Sequence, residues 1–303
     1  MSVTAQPQKK SRPRYRSWVR WRPYAYILPA GLLLFLVYFL PMFNAVRFSF
    51  TDADLIAGAG KWVGLKNYID LFTPEFGWVL WRTLLWLVVG VAGSMVIGVL
   101  MALLLEKALP GRTLFRVILT LPWIFPDSIA AIMWKFTLHP GWGLVNSVLG
   151  SLHIVKEPIN FFSPESALWA VIAIRIWKGA PFIFLAVLAG LQAIPREVEE
   201  AGCVDGATAW QRLIYLKLPM LKPVLWASGT ILAAWTLVIF DLVYVLTAGG
   251  PLSSTEILSI TIYDAGFYDG RVGAASALSM VAIAALSIFS YFYVRREMRS
   301  GLA

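Results

Sequence analysis

The sequence predicts an all-α membrane protein that crosses the bilayer six times. Hydrophobic residues make up 59% of the 303 residues and charged residues only 14%, which indicates that lipid is the main solvent of this chain. A helix needs about 20 residues to cross an apolar layer of about 30 Å. Six stretches reach or nearly reach that length: Pro23–Val46, Thr83–Leu105, Val117–Trp134, Ala167–Ala193, Val224–Leu246 and Val272–Val294.

Lys and Arg are unevenly distributed between the connections. Six spans place both chain ends on one side, and that side carries 17 of the 26 basic residues, against 7 in the opposite loops. Basic residues near span ends stay in the cytoplasm, so we expect both termini there. The expected organisation is a basic tail (1–22), a six-span domain (23–296) and a short tail (297–303). The basic N-terminal run fits a lipid-facing retention signal better than a nucleic-acid contact.

Residue types that carry catalytic or metal chemistry are scarce. The single cysteine, Cys203, excludes an internal disulfide, and His139 and His153 lack the HExxH spacing of a zinc catalyst. The stretch Gly58–Trp62 looks like the end of a phosphate-binding loop, but Leu55 stands where its first glycine should be. We therefore expect no enzyme, no metal site and no nucleotide site in this chain.

The polar segment of residues 195–223 lies between the fourth and fifth apolar stretches and reads PREVEEAGCVDGATAWQRLIYLKLPMLKP. Pro195 suits a first helical turn, and the glutamates that follow favour a helix N-terminus. Asp205-Gly206 predicts a bend. A second short helix is expected over residues 207–218, ended by Pro219. We expect a helix, a turn and a helix against the cytoplasmic face.

Within this segment, EEAGCVDGA followed by LIYLKLPMLKP resembles the EAA loop of the inner-membrane permease subunits of binding-protein-dependent ABC importers. Gly202 stands in place of the usual alanine and Leu216 in place of the usual isoleucine. The positions that match the motif are Glu200, Ala201, Gly202, Asp205, Gly206, Ala207, Leu216, Leu218 and Pro219. Four further stretches resemble the carbohydrate branch, which includes the larger maltose and glycerol-3-phosphate permease subunits: Trp62–Phe72, Leu121–Lys135, Ile176–Phe182 and Phe240–Pro251.

This resemblance implies a type I importer permease in a bacterial inner membrane, forming half of a pathway for a sugar or sugar derivative. It also implies four kinds of partner: a second permease, two ATPase subunits that bind ATP and Mg, an extracytoplasmic solute-binding protein, and the lipid bilayer. The helix before Asp205-Gly206, which includes Glu199 and Glu200, would be the coupling helix that sits in a groove of the ATPase. The outer loops, residues 52–76, 140–165 and 248–271, would receive the solute-binding protein and are long enough for short helices.

Four ionisable side chains fall within the predicted spans: Asp127, Arg175, Lys178 and Asp241. A charge in hydrocarbon is costly and usually faces a partner or a water-filled path. Arg175 and Lys178 are three residues apart and share a helix face. Two interpretations stay open: the basic pair selects an anionic sugar, or it pairs structurally with Asp127 or Asp241.

The resemblance also implies solute contacts on the fourth and fifth spans. The matching positions are Lys178, Gly179, Phe182, Trp235, Thr236 and Ile239. Phe182 and Trp235 are either stacking partners for a sugar ring or helix-packing residues. The competing class is an ion-coupled secondary transporter, in which Asp127, Asp241 or the basic pair would bind the coupling ion.

Overall fold

The computed structural model describes residues 18–58, 60–106 and 110–300, and helices dominate this part of the chain. The α-helices are α1 (Trp18–Leu34), α2 (Leu40–Phe48), α3 (Lys66–Ile69), α4 (Pro74–Glu106), α5 (Arg112–Ile124), α6 (Asp127–Thr137), α7 (Leu144–Ser151), α8 (Ala167–Gln192), α9 (Arg196–Val204), α10 (Ala209–Arg212), α11 (Leu218–Val238), α12 (Asp241–Thr247), α13 (Leu258–Tyr263) and α14 (Val272–Ser300). Three π-helical turns accompany them, at Phe35–Phe39, Leu213–Lys217 and Asp264–Tyr268.

The chain divides into two compact units, residues 1–47 and 48–303. In the first unit, α1 and α2 join through the π-helical turn Phe35–Phe39 into one apolar helix. The stretch Tyr26–Phe48 is long enough to cross a membrane, and no part of its apolar window is buried. A helix that is apolar all round is typical of a membrane span, which agrees with the first predicted span. Most of the predicted basic tail lies outside the described residues.

Helix α8 is the centre of the second unit. About two thirds of its apolar window is buried (67%), against 22% for α4. Glycines on α4 let the two backbones approach, as small residues do between membrane helices. A Cβ atom on Gly98 would lie 2.6 Å from the Ile183 Cβ and 2.7 Å from the Ala180 carbonyl oxygen, so a larger residue there would force a shift.

The third predicted span, Val117–Trp134, is not one helix. Helix α5 ends at Ile124, α6 begins at Asp127, and the chain bends by 102° between them. Pro126 explains the bend, because the residue before a proline is pushed out of the helical region. Phe125 accordingly has an extended backbone, with a ψ of 138°.

The fifth predicted span, Val224–Leu246, is broken as well. Helix α11 ends at Val238, α12 begins at Asp241, and Ile239 between them is extended, with a ψ of 124°. Neither proline nor glycine stands at this break. Instead, the Ser259 hydroxyl donates to the Ile239 carbonyl at 3.0 Å, so a tertiary hydrogen bond satisfies this carbonyl at the point where the helix ends.

The prediction that a short helix ends at Pro219 is wrong, because the helix runs on from Ala209 to Val238. A proline ring in a regular helix meets the carbonyl four residues earlier. Here the π-helical turn Leu213–Lys217 ends two residues before Pro219. The Leu218 N–H donates to the Leu213 carbonyl, five residues back. This wider turn makes room for the ring.

Among the described residues, four helices are long and apolar enough to cross a membrane, or five if α5 and α6 form one bent span. Helices α4 and α8 cover the second and fourth predicted spans. Helix α14 contains the sixth, but its apolar stretch, Val272–Ile288, is a shorter one. By helix length and apolar composition, the described residues therefore contain four or five of the six predicted spans. The three loops predicted to be outer contain α3, α7 and α13, so the expected short helices are present.

Candidate solute cavity and coupling segment

The two helix breaks meet at one cavity of about 510 Å³, which we call the central cavity. Its wall comes from the α5–α6 bend, from α8 and from the α11–α12 break. It is lined by Trp123, Phe125, Pro126, Asp127, Arg175, Lys178, Trp235, Val238, Ile239, Phe240 and Asp241. All four charged residues predicted within the spans therefore lie at the same place, although they come from three different helices.

Lys178 is held by the α5–α6 bend. Its ammonium lies 3.2 Å from the Asp127 carboxylate and donates to the carbonyls of Phe125 and Pro122. Those carbonyls are free to accept because α5 ends there. The Lys178 side chain is only 8% exposed. The sequence left open whether the basic residues pair with Asp127 or with Asp241. For Lys178, the structure shows the pair with Asp127.

Arg175, one turn away, is held by α11. Its Nε and Nη2 atoms donate to the Thr236 hydroxyl at 3.2 and 2.8 Å, and that hydroxyl donates to the Leu232 carbonyl at 2.6 Å. The Trp86 indole donates to the Thr236 backbone carbonyl at 2.8 Å. Thr236 is fully buried, so it holds Arg175 in place within the wall of the central cavity.

Asp241 differs from the other three charges. It is exposed at the central cavity and takes part in none of the ion pairs among the described residues. The cavity wall thus carries two basic and two acidic side chains, with the formal charges cancelling. Its one exposed charge is the Asp241 carboxylate, which can accept hydrogen bonds from hydroxyl groups. Arg175 also joins none of these ion pairs, but it is buried and bonded to Thr236.

Aromatic rings form another part of the wall. Phe182, a predicted solute contact, does not line the cavity itself; it packs between two lining residues, Trp123 and Trp235, with ring centroids 5.9 and 4.9 Å away. Trp123 and Phe240 line the cavity and were missed as site residues, although both belong to stretches that carry the family resemblance. Gly179 faces α4 instead, since a Cβ atom there would lie 2.6 Å from the Ser94 hydroxyl.

The second candidate site is the coupling segment, which we define as residues 196–219. Helix α9 begins after Pro195, and Gly206 makes the predicted turn with a φ of 77°, in the left-handed region that glycine tolerates. Thr208 then starts α10 with a capping box, in which Thr208 and Gln211 bond to each other's backbone N–H groups. The predicted first helix and turn are present, whereas the second helix does not end at Pro219 but continues to Val238.

Much of the coupling segment faces outward. Glu200, Ala201, Asp205, Gly206 and Pro219 are exposed. Three large apolar side chains are exposed beside them and were not predicted as site residues: Val204, Trp210 and Tyr215. Charged and apolar side chains therefore lie side by side on this surface.

Gly202 and Leu216, the two residues that differ from the usual EAA motif, pack next to each other. Gly202 is buried, and a Cβ atom on it would lie 2.8 Å from the Leu216 Cδ1 atom. The leucine thus occupies space that an alanine methyl would need.

A further cavity of about 550 Å³ lies between α4, α13 and the connections around them, and we call it the acidic cavity. Its wall contains the carboxylates of Asp70, Glu75, Glu256, Asp264 and Asp269 and the guanidinium groups of Arg82 and Arg271. Asp269 pairs with Arg271 at 2.5 Å. Burial raises the pKa of Asp264, and the charges of Glu256 and Asp269 raise it further.

Comparison with known proteins shows which protein family has this architecture. The family of binding-protein-dependent transport system inner membrane components matches residues 94–300. A probable ABC transporter permease protein of Brucella suis biovar 1 is 32% identical over 93% of this chain and 98% of its own length. The trehalose/maltose transport system permease protein MalF of Thermococcus litoralis is 32% identical over 90% of this chain and 92% of its own.

The fold agrees with these matches. A chain from the crystal structure of a bacterial alginate ABC transporter, in complex with an alginate pentasaccharide-bound periplasmic protein, superposes with a TM-score of 0.82. It is 23% identical, and the match covers 95% of this chain and 98% of that one. The fold is that of a type I ABC importer permease. None of these comparisons supports an ion-coupled secondary transporter. The chain belongs to the inner membrane components of binding-protein-dependent transport systems, as a transport subunit and not an enzyme.

Proposed function

We propose that this chain forms half of the translocation pathway of an importer for an uncharged sugar, and that the central cavity is its solute site. The cavity carries the proposal, because it brings aromatic rings and a free carboxylate together where two helices break. Discontinuous helices at mid-membrane are typical of transporter binding sites. The Thermococcus relative is named for trehalose and maltose transport, which fits a wall of this kind.

The charges of the cavity argue for an uncharged solute. Lys178 is already compensated by Asp127, and Arg175 is buried against Thr236. An anionic sugar would meet two cations that are buried and already bonded, Arg175 and Lys178, and would approach the exposed Asp241 carboxylate, which repels it. A neutral sugar would instead offer hydroxyl groups to that carboxylate and a carbon face to Trp123 and Trp235.

Uptake measurements on matched sugars test this choice. We expect proteoliposomes holding the whole transporter to take up a neutral disaccharide such as trehalose or maltose faster than its uronic or sulfonated counterpart. Faster uptake of the anionic form would overturn the neutral assignment and return the basic pair to the role of anion selector. Failure to take up any sugar of either kind would overturn the carbohydrate function itself.

Coupling to ATP is assigned to the coupling segment. The proposed assembly contains this chain, a second permease, two ATPase subunits that bind ATP and Mg, and an extracytoplasmic solute-binding protein. Glu199, Glu200, Ala201, Gly202, Asp205, Gly206, Ala207 and Pro219 are the residues we assign to ATPase contact or to its geometry. The exposed glutamates of α9 and the apolar Val204 and Trp210 support this, since together they offer charge and hydrophobic area to a groove.

Charge reversal at Glu200 tests the coupling assignment. We expect Glu200→Lys to weaken co-purification of the ATPase subunits from mild detergent or to abolish ATP-driven uptake. Glu157→Lys, an exposed residue of an outer loop with the same change in net charge, serves as the control for assembly, and the ATPase subunits should co-purify with it as they do with the unchanged protein. Normal assembly and normal uptake in the Glu200 variant would contradict the assignment.

The topology we propose has six spans in a bacterial inner membrane, with both termini in the cytoplasm. Counting α5 and α6 as one bent span and α14 as the last span gives this number. The excess of Lys and Arg on the side of the termini supports the orientation. The acidic cavity then faces outward, where the solute-binding protein docks.

A further inference from the structure

Lys217 joins three elements on the cytoplasmic side of the proposed topology. Its ammonium lies 2.8 Å from both carboxylate oxygens of Glu106, the last residue of α4, and 2.6 Å from Glu199 on α9. Lys217 itself ends the π-helical turn that leads into α11. Neither Lys217 nor Glu106 belongs to the matched motif positions, and the two are 111 residues apart in the chain.

The two arms of this junction differ in exposure. The side chains of Lys217 and Glu106 are 12% and 21% exposed, while that of Glu199 is 45% exposed. A pair shielded from water is costly to break, whereas a half-exposed pair contributes little. The Lys217–Glu106 arm is therefore the firm one, and the Glu199 arm can open and close when α9 is displaced.

The helices held by this junction also reach the central cavity. On α4, the Trp86 indole bonds to the carbonyl of Thr236 on α11, and Trp235 next to it lines the cavity wall. Coupling between distant sites is carried by such contiguous chains of packed and hydrogen-bonded groups. Here the chain of contacts runs from α9 through Lys217 to both α4 and α11, and from these to the cavity.

We propose that Lys217 is a positioning residue that transmits displacement of the coupling helix α9 to α4 and α11, and so to the central cavity. This inference rests on the proposed coupling function of α9. It assigns a role to a residue outside the surface that contacts the ATPase. Loss of Lys217 should leave the ATPase bound but disconnected from the cavity.

A cavity reporter that needs no knowledge of the solute provides the test. Val238 lines the central cavity and is exposed, so Val238→Cys in a Cys203→Ser background gives this chain a single thiol, whose labelling is measured on this chain after separation from the other subunits. The whole transporter is reconstituted in lipid nanodiscs. The rate of modification by a charged thiol reagent is measured with and without ATP and vanadate. We expect ATP and vanadate to change this rate in the background protein.

Lys217→Gln should abolish that ATP-dependent change while the ATPase subunits still co-purify. Lys217→Arg, which keeps the charge, should retain it. Lys222→Gln is the matched control, because Lys222 is exposed on α11, beyond the coupling segment, and joins none of the ion pairs among the described residues. If Lys217→Gln fails to fold, Glu199→Gln opens only the exposed arm, and we expect it to diminish the same change while the ATPase subunits still co-purify, which separates the loss of this arm from a loss of ATPase contact.

An ATP-dependent change that persists in Lys217→Gln, or in Glu199→Gln where that variant replaces it, would overturn the inference and leave the proposed function intact. A background protein that binds no ATPase, or whose cavity thiol does not respond to ATP, would overturn the proposed function and this inference with it. The two failures are therefore distinguishable in one experiment.

Discussion

The central cavity and the coupling segment use charge in opposite ways. At the cavity, Lys178 is compensated by Asp127, and Arg175 is bonded to Thr236 within the same chain. On α9, Glu197 and Glu200 are exposed and join none of the ion pairs among the described residues. A buried charge within the membrane must be satisfied before any solute arrives, because its isolation is costly, and Asp241, the cavity charge that joins none of these ion pairs and is exposed, is the exception. A charge in water carries no such cost and can be kept for a partner.

The largest effect should come from breaking the compensated pair. Lys178→Met leaves the Asp127 carboxylate without its cation, and removing one partner of a buried pair costs about 3–5 kcal/mol. We expect a large drop in the melting temperature of the detergent-solubilised protein, followed by tryptophan fluorescence. The double variant Lys178→Met with Asp127→Leu removes both charges and should regain most of the loss. Unchanged melting of the single variant would show that the pair is not compensated internally.

A smaller effect should come from the packing that brings α4 and α8 together behind this pair. Gly98→Ala places a methyl group 2.6 Å from the Ile183 Cβ atom, and overpacking of this kind costs about 1–3 kcal/mol. Gly77→Ala is the control on the same helix, where no atom lies within 4 Å of the added Cβ. It should be neutral, or stabilising by up to about 1 kcal/mol. Equal melting temperatures for the two variants would contradict the tight contact.

The smallest effect should come from the acidic cavity. It tests whether this cavity, like the coupling segment, contains a carboxylate whose charge is not compensated. The pKa of Asp264 is raised by burial and by Glu256 and Asp269, so its ionised form is disfavoured in the folded protein. The Asp264 side chain therefore destabilises the folded protein increasingly as the pH rises through its folded-state pKa. We expect Asp264→Asn to raise the melting temperature slightly at neutral pH, with the gain shrinking as pH falls. A gain that is independent of pH would point to packing instead of charge.

Local chemistry explains what the sequence could predict. The apolar lengths located α4 and α8, and the Asp205-Gly206 pair located the turn after α9. Pro126 marks the α5–α6 break in retrospect, since proline restricts the residue before it. These features depend on neighbours in the chain, which a sequence displays directly.

Contacts between distant residues could not be predicted in the same way. The α11–α12 break has no proline or glycine and depends on a hydrogen bond from Ser259. Arg175 and Lys178 share a helix face, yet their partners come from different helices. The Lys217–Glu106 pair is separated by 111 residues and leaves no pattern along the chain.

The contact between Gly202 and Leu216 has a practical consequence for building hybrid permeases. The two positions belong to different helices of the coupling segment, but they share one small volume, and the glycine leaves room for the longer leucine. A hybrid that takes α9 from a relative with alanine at position 202 would keep Leu216 and crowd it. Boundaries for such exchanges should therefore lie outside residues 202–216, so that both halves of the contact come from the same parent.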